Sequence, residues 1–363
     1  MLVLFRADAS IDIGSGHVMR CLSLANELKK AGNECRFICA DLEGNLIDVI
    51  RSNGYFVYPL KEVRLTGNSE YSKTSGLPKI DEKFDAFQTL NAIGHTRVDW
   101  MVVDHYQLGG EWESLVKSAS RYVMAMDDLA DRPHDCDLLL DQTFGRDSSD
   151  YKKWVPIDCK VLCGSRYALL RPDFAVARAN SLARRQAAEI KRILVAMGGV
   201  DKDNMTTQIL NSIAGASLAY DCKVTVLMGT ASPWIDDVVS LAARSQLHTE
   251  VMVGIADVAA VMSQCDLAIG APGTSAWERC CLGLPSILVV IANNQTKVAA
   301  ELSAVGAACI IDRDKIHTSL ASQIDRFVRE PKALADMSQN AAGLVDGLGV
   351  QRIIKQMGQI GEY

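Results

Sequence analysis

The chain has 363 residues, 48% of them hydrophobic and 23% charged, with a formal net charge of -6. That length exceeds what one hydrophobic core usually serves, so two domains of ordinary size are expected in a soluble globular protein. A mildly acidic chain with no long run of like charges lacks the basic face that nucleic acid requires, and no nucleic-acid partner is expected.

The opening residues are apolar for a few positions before Arg6 and Asp8 interrupt, which fits a first strand at 2–7 rather than an export signal. A helical stripe follows over 17–31, with Val18, Cys21, Leu22, Leu24, Ala25 and Leu28 on one face and Gly32 as its stop. A strand at 35–40 and a short helix at 46–52 come next, then a polar interval at 61–83 without usable periodicity. Strands are expected at 100–104, 122–126 and 138–141, and a charged helix carrying Arg184, Arg185 and Gln186 at 172–191. The pattern restarts at Arg192 with a strand at 193–197, the pair Gly198 and Gly199, and a helix opening near Asn204. Strands at 224–228, 266–270, 286–291 and 308–311 then alternate with helices at 257–264, 274–281 and 295–305.

Strands alternating with helices imply parallel sheets, and two such runs imply an α/β fold of two Rossmann-like domains. The domains are assigned to 1–170 and 191–345, with a helical connector at 171–190 and a C-terminal helix at 346–363. Ligands of such sheets bind at the carboxyl ends of the strands, and a cleft between two facing domains is the expected place. The most apolar later stretch, 284–292, is far shorter than the roughly 20 residues a membrane helix needs, so no membrane partner is expected. None of the eleven cysteines forms a C-x-x-C pair, the pattern of reduced, buried thiols in a cytoplasmic protein. A monomer is expected.

Three turns carry the chemistry. Gly14, Ser15 and Gly16 lie between the first strand and first helix, where small residues let a backbone approach a ligand and a helix start favours anions. His17 stands at that start. Met19 takes the place of the last glycine of G-x-G-x-x-G, which disfavours a dinucleotide. Gly198 and Gly199, followed by Asn204, repeat the arrangement in the second half, with Asn204 equally suited to capping its helix. Gly273, Thr274 and Ser275 open a third helix with Glu278 in its first turn, where the hydroxyls suit a cap or a phosphate and the carboxylate suits the dipole or a ribose diol. Further polar residues end strands: Asp104, His105 and Tyr106; Asp127 and Asp128; Asp141 and Gln142. Asp135-Cys136-Asp137 has the form of a short acidic metal motif but runs straight into a strand, and His95, His134, His248 and His317 show no ligand spacing, so no metal and no cofactor are expected.

At these residues a family is recognisable. Arg6 to Ser10, continued by Ile13-Gly14-Ser15-Gly16-His17-Val18-Met19-Arg20-Cys21-Leu22, resembles the opening of the UDP-sugar hydrolases of the pseudaminic acid pathway. Val103-Asp104-His105-Tyr106, Asp127-Asp128-Leu129-Ala130, Met197-Gly198-Gly199 and Gly273-Thr274-Ser275-Ala276-Trp277-Glu278 follow in the order of that family. The last motif is shared with the wider GT-B glycosyltransferase fold, and the chain is also similar to the enzyme that transfers N-acetylglucosamine to lipid-linked muramyl peptide. The resemblance implies a GT-B fold and hydrolysis of UDP-2,4-diacetamido-2,4,6-trideoxy-β-L-altropyranose, a small-molecule partner, to free sugar and UDP. It implies His17 as the catalytic histidine, Tyr106 as an active-site residue, and Asn204 and Glu278 at the substrate, with Glu278 on the ribose. Similarity to the transferase implies backbone contacts of Ile255 to uracil and a contact of Gln295 to the sugar.

The expected mechanism is one direct displacement by water at the anomeric carbon, with inversion. UDP leaves readily near neutrality, helix starts stabilise its growing charge, and an imidazole is the side chain suited to deprotonating water at that pH. Two alternatives stand beside it: an inverting transferase in which an acceptor hydroxyl replaces water, and a non-catalytic nucleotide-sugar binding protein with no use for His17.

Overall fold

The computed structural model describes residues 1–61, 63–66, 79–292 and 295–361. Most of the polar interval expected at 61–83 lies outside these residues. The chain divides into two units, Met1–Leu169 with Gly349–Tyr363, and Leu170–Leu348.

The first unit is built on β1 (Leu2–Ala7), β2 (Glu34–Ala40), β3 (Phe56–Leu60), β4 (Val98–Asp104), β5 (Ser120–Met126), β6 (Leu138–Asp141) and β7 (Lys160–Cys163). All pairs are parallel, in the order β3-β2-β1-β4-β5-β6-β7. Its helices are α1 (Gly16–Lys30), α2 (Ile47–Ser52), α3 (Glu82–Ile93) and α4 (Gly110–Val116). Side chains along a strand alternate between faces, and both faces are covered. Val3, Phe5 and Ala7 of β1 join Val18, Leu24 and Leu28 of α1 in one core, while Leu4 joins Ala86 of α3 and Trp112 of α4 in another. Arg6 points into that second layer, where it is fully buried and bonded to Asp8 and Asp85.

The second unit opens with α5 (Pro172–Arg184), followed by β8 (Arg192–Ala196), α6 (Met205–Ile213), β9 (Lys223–Met228), α7 (Ile235–Arg244) and β10 (His248–Val253). Then come α8 (Val258–Ser263), β11 (Leu267–Gly270), α9 (Ser275–Cys281), β12 (Ser286–Val289), α10 (Thr296–Ala304), β13 (Cys309–Ile311), α11 (Ile316–Arg329) and α12 (Pro331–Leu344). The strand order is β10-β9-β8-β11-β12-β13. In both sheets the first strand is central and the order reverses beside it, so each has a topological switch point.

Two segments differ from expectation. The helix at 172–184 is no free connector: Arg178 of α5 bonds the carbonyls of Cys281, Ala342 and Val345, and Ser181 bonds that of Leu282, all within the second unit. The last helix, α13 (Gly349–Gly361), belongs to the first unit, where Val350, Ile353 and Met357 enter the core with α1. Among the described residues no helix is long and apolar enough to cross a membrane.

Candidate active site

At the switch point of the first unit Ala7 lies opposite Asp104 at the carboxyl ends of β1 and β4. After β1 the chain forms the turn that starts α1. Gly14 has φ +80°, and a Cβ there would meet nothing within 4 Å, so the turn requires glycine and leaves open space beside it. Ser15 precedes the helix without a side-chain cap bond, which leaves the first amides, from Gly16 onward, for a ligand or water.

His17 and Arg20 stand one helical turn apart and reach the same carboxylate. His17 Nδ1 is 2.5 Å from Asp104 Oδ1, and Arg20 donates from Nε to Oδ2 and from Nη2 to Oδ1, each at 2.5 Å. Asp104 is wholly buried. Burial by itself would raise its carboxyl, but the Arg20 guanidinium and His17 beside it hold it well below the usual carboxylate range. An ionised acceptor at Nδ1 fixes the tautomer, with the proton on Nδ1 and a lone pair on Nε2. Nε2 has no protein partner among the described residues. Tyr106 meets the imidazole edge-on, with ring centroids 4.6 Å apart at 85°. Its hydroxyl donates to Asp128 Oδ2 at 3.3 Å, and the same oxygen lies 3.6 Å from Arg20 Nη1.

The structure therefore brings His17, Asp104 and Tyr106 together and adds Arg20 and Asp128. Asp104 is corrected from a substrate contact to the residue that orients His17, because its oxygens are committed to Arg20 and His17. The other strand-end residues are structural. His105 Nε2 faces Asp8 at 3.3 Å, Asp127 Oδ2 and Asp141 Oδ2 each lie 2.8 Å from the Tyr151 hydroxyl, and Gln142 accepts the Leu169 amide at 3.0 Å. Asp135 is held by Ser114 and Lys117, Asp137 by the Val123 amide, and no metal-holding cluster occurs among the described residues.

In the second unit the switch point places Ala196 opposite Gly270. Gly198 has φ +101° and faces open space, while Gly199 is packed so closely that a Cβ on Gly229 would lie 2.2 Å from its carbonyl oxygen. Asp201 and Asn204 both take the left-handed conformation, each at φ 49°. The Asp201 carboxylate accepts the Met205 and Thr206 amides at 2.9 Å, and Asn204 accepts that of Thr207 at 3.3 Å. The start of α6 is thus satisfied from within, and Asn204 takes the capping role that the sequence offered it.

The turn from β11 into α9 remains open. A Cβ at Gly273 would meet nothing within 4 Å, and Thr274 precedes the helix without a side-chain cap bond. Glu278 is partly exposed and makes no hydrogen bond or ion pair among the described residues. Burial raises its carboxyl, against the opposing pull of Arg171 and Arg279. Arg171 Nη1 holds the Ala256 carbonyl at 2.6 Å, fixing the loop that carries Ile255. Gln295 accepts the Ile291 amide on its Oε1 at 3.1 Å. Asp128 stood among the polar strand ends, whereas Arg20, Arg171 and Asp201 were not named as candidate site residues from sequence. Only Arg20 carried a local signal, its one-turn spacing from His17.

Residues 161–357, more than half of the chain, match the family model of the glycosyltransferase family 28 C-terminal domain. The chain belongs to this family. As a family 28 protein it is 32% identical over 213 residues to the UDP-2,4-diacetamido-2,4,6-trideoxy-beta-L-altropyranose hydrolase of Campylobacter jejuni, across 59% of this chain and 66% of that protein. It is 26% identical over 202 residues to the spore coat polysaccharide biosynthesis protein SpsG of Bacillus subtilis, across 55% of this chain and 58% of that protein. The chain thus spans less than two thirds of the length of either relative. MurG of Acinetobacter baumannii has the same fold, with a TM-score of 0.68 at 15% identity over 99% of both chains. The two parallel sheets of this family 28 chain are those of the GT-B architecture, as the sequence implied.

Proposed function

We propose that the protein hydrolyses a UDP-linked 2,4-diacetamido-2,4,6-trideoxy sugar to free sugar and UDP, by attack of water at the anomeric carbon with inversion. The observation that carries this is the His17–Asp104 pair, a histidine whose tautomer is set by an ionised carboxylate and whose Nε2 is unspent. Nε2 takes the proton of water as the oxygen attacks carbon, and Asp104 steadies the imidazolium that forms. The bond from the anomeric carbon to the UDP oxygen breaks, and its electron pair leaves on the diphosphate. Likeness to the Campylobacter hydrolase, named for this sugar nucleotide, supports the sugar.

Reaction in ¹⁸O-labelled water tests the bond that breaks. Label is expected at the anomeric hydroxyl and absent from UDP, with early NMR spectra showing inversion. Label in the UDP phosphate means attack at phosphorus and ends the proposal. Membership of family 28 favours one second possibility, transfer to an acceptor hydroxyl in place of water. UDP release from the sugar nucleotide alone at the full rate rules that out, and release only with an acceptor establishes it.

Glu278 serves the nucleotide in this proposal, its unpartnered carboxylate accepting the two ribose hydroxyls. Glu278→Ala is expected to lower affinity for UDP by about 1.5–3 kcal/mol, the worth of hydrogen bonds to a charged group. Uridine, which carries the same ribose, should lose as much. Unchanged UDP affinity by isothermal titration in a folded variant returns Glu278 to a helix-start role.

A further inference from the structure

Arg279 of α9 is 1% exposed. Its Nη2 donates to the Ala271 carbonyl at 2.8 Å and its Nη1 to Ser275 Oγ at 3.1 Å. Its Nε is buried without a hydrogen-bond partner, and the guanidinium forms no ion pair within 4.0 Å among the described residues. Room for it depends on Gly270, where a Cβ would stand 2.8 Å from Nη1 and 2.5 Å from the Ala196 carbonyl. Burial pushes the guanidinium down to about 10, so it is charged at neutral pH. A buried cation with no carboxylate in contact, set against the longer-range pull of Glu278, is expensive, and an anion docking nearby offsets that cost. Low local polarisability also leaves its field on the turn poorly screened.

The two hydrogen bonds set the polarity of the turn. A phosphate beside residues 271–275 would be repelled by outward-facing carbonyl or lone-pair oxygens. Arg279 draws the Ala271 carbonyl and the Ser275 lone pair to itself, which leaves the Ser275 O–H hydrogen directed away from the guanidinium.

We propose that Arg279 is a positioning residue for the diphosphate: without touching it, the guanidinium turns the acceptors of the 271–275 turn inward and supplies the fixed positive charge behind it. This rests on the nucleotide-binding role of the second unit proposed above. The ligand class is a nucleoside diphosphate, and the effect belongs to its phosphates, not its nucleoside.

The test compares UDP with uridine on the full chain, by isothermal titration for UDP and ligand-detected NMR for uridine. Arg279→Met is expected to weaken UDP about tenfold to a hundredfold while uridine stays within about twofold, and Arg279→Lys recovers part of the loss. Ser275→Ala keeps the buried cation and should also weaken UDP while sparing uridine, which covers the case in which Arg279→Met does not fold. A merely structural arginine lowers both affinities alike. An unchanged ratio of UDP to uridine affinity in Ser275→Ala and in Arg279→Lys, with wild type binding both ligands, overturns this proposal alone. Wild type that binds neither ligand overturns the nucleotide role and this proposal with it.

Discussion

His17→Asn lowers the rate of UDP release by about 10²- to 10⁴-fold, the usual worth of a positioned general base, while UDP affinity stays within a few-fold. The split follows from where the residue sits. His17 is only 7% exposed, with Nδ1 committed to Asp104, so Nε2 alone is available for chemistry. His17 is not among the proposed nucleotide contacts, so removal of the imidazole takes away the proton acceptor and little else. Asparagine is the stricter variant, because its amide preserves a polar partner for Asp104 but cannot take a proton from water. Near-normal turnover in His17→Asn, measured as UDP released over time, removes His17 from the mechanism.

Asp104→Asn damages rate and stability together. Arg20 makes two short bonds to the carboxylate and His17 a third, and an amide offers one acceptor oxygen where the carboxylate offers two. Among the described residues Arg20 then stays buried with Asp128, at 3.6 Å, as its remaining carboxylate neighbour. Breaking a buried pair by removing one partner typically costs about 3–5 kcal/mol, which denaturant unfolding of the variant reads directly. The amide also favours the wrong tautomer. It donates to Nδ1, moves the proton to Nε2 and removes the base, so the rate falls by on the order of 10²- to 10⁴-fold in protein that is still folded. Acid sets the sign of the stability effect. The folded Asp104 carboxyl is held below its ordinary value, so its contribution is complete above the ordinary carboxylate range, about pH 4, and is lost as pH falls through the depressed value. The gap between wild type and Asp104→Asn is therefore full at neutral pH and narrows in acid. A variant as active and as stable as wild type at pH 7 contradicts the orienting role.

The central strands were legible because burial on both faces writes them as unbroken runs of branched and aromatic side chains. Three strands were not, and all three are edges: β3 and β7 of the first sheet, and β10 of the second. An edge strand meets water along one side, so its pattern thins: Phe56 in β3 is 60% exposed and β10 has no fully buried residue. Helix α3 escaped notice for another reason. Its core-facing side carries Asp85 and Thr89 beside Ala86 and Ile93, since Asp85 serves the buried Arg6. A stripe interrupted by such a carboxylate has no clear period. The site divides in the same way. Glycine turns at Gly14 and Gly198 show in sequence because their backbone demands that residue, whereas His17 and Asp104 are 87 positions apart and meet only because β1 and β4 are neighbours.

The placement of α13 governs the order in which this protein becomes a folded object. Val350, Ile353 and Met357 are at most 1% exposed within the core of the first unit, yet they are synthesised after the whole of Leu170–Leu348. Each such side chain is worth about 1.5–3 kcal/mol when buried. The unit whose strands leave the ribosome first is thus the one that waits longest for its last apolar surface to be covered, and a chain cut or stalled after Leu169 leaves that surface facing water. Exchange of units between relatives meets the same constraint, since the second unit can be transplanted only as an insertion with two junctions that hands α13 back to the first.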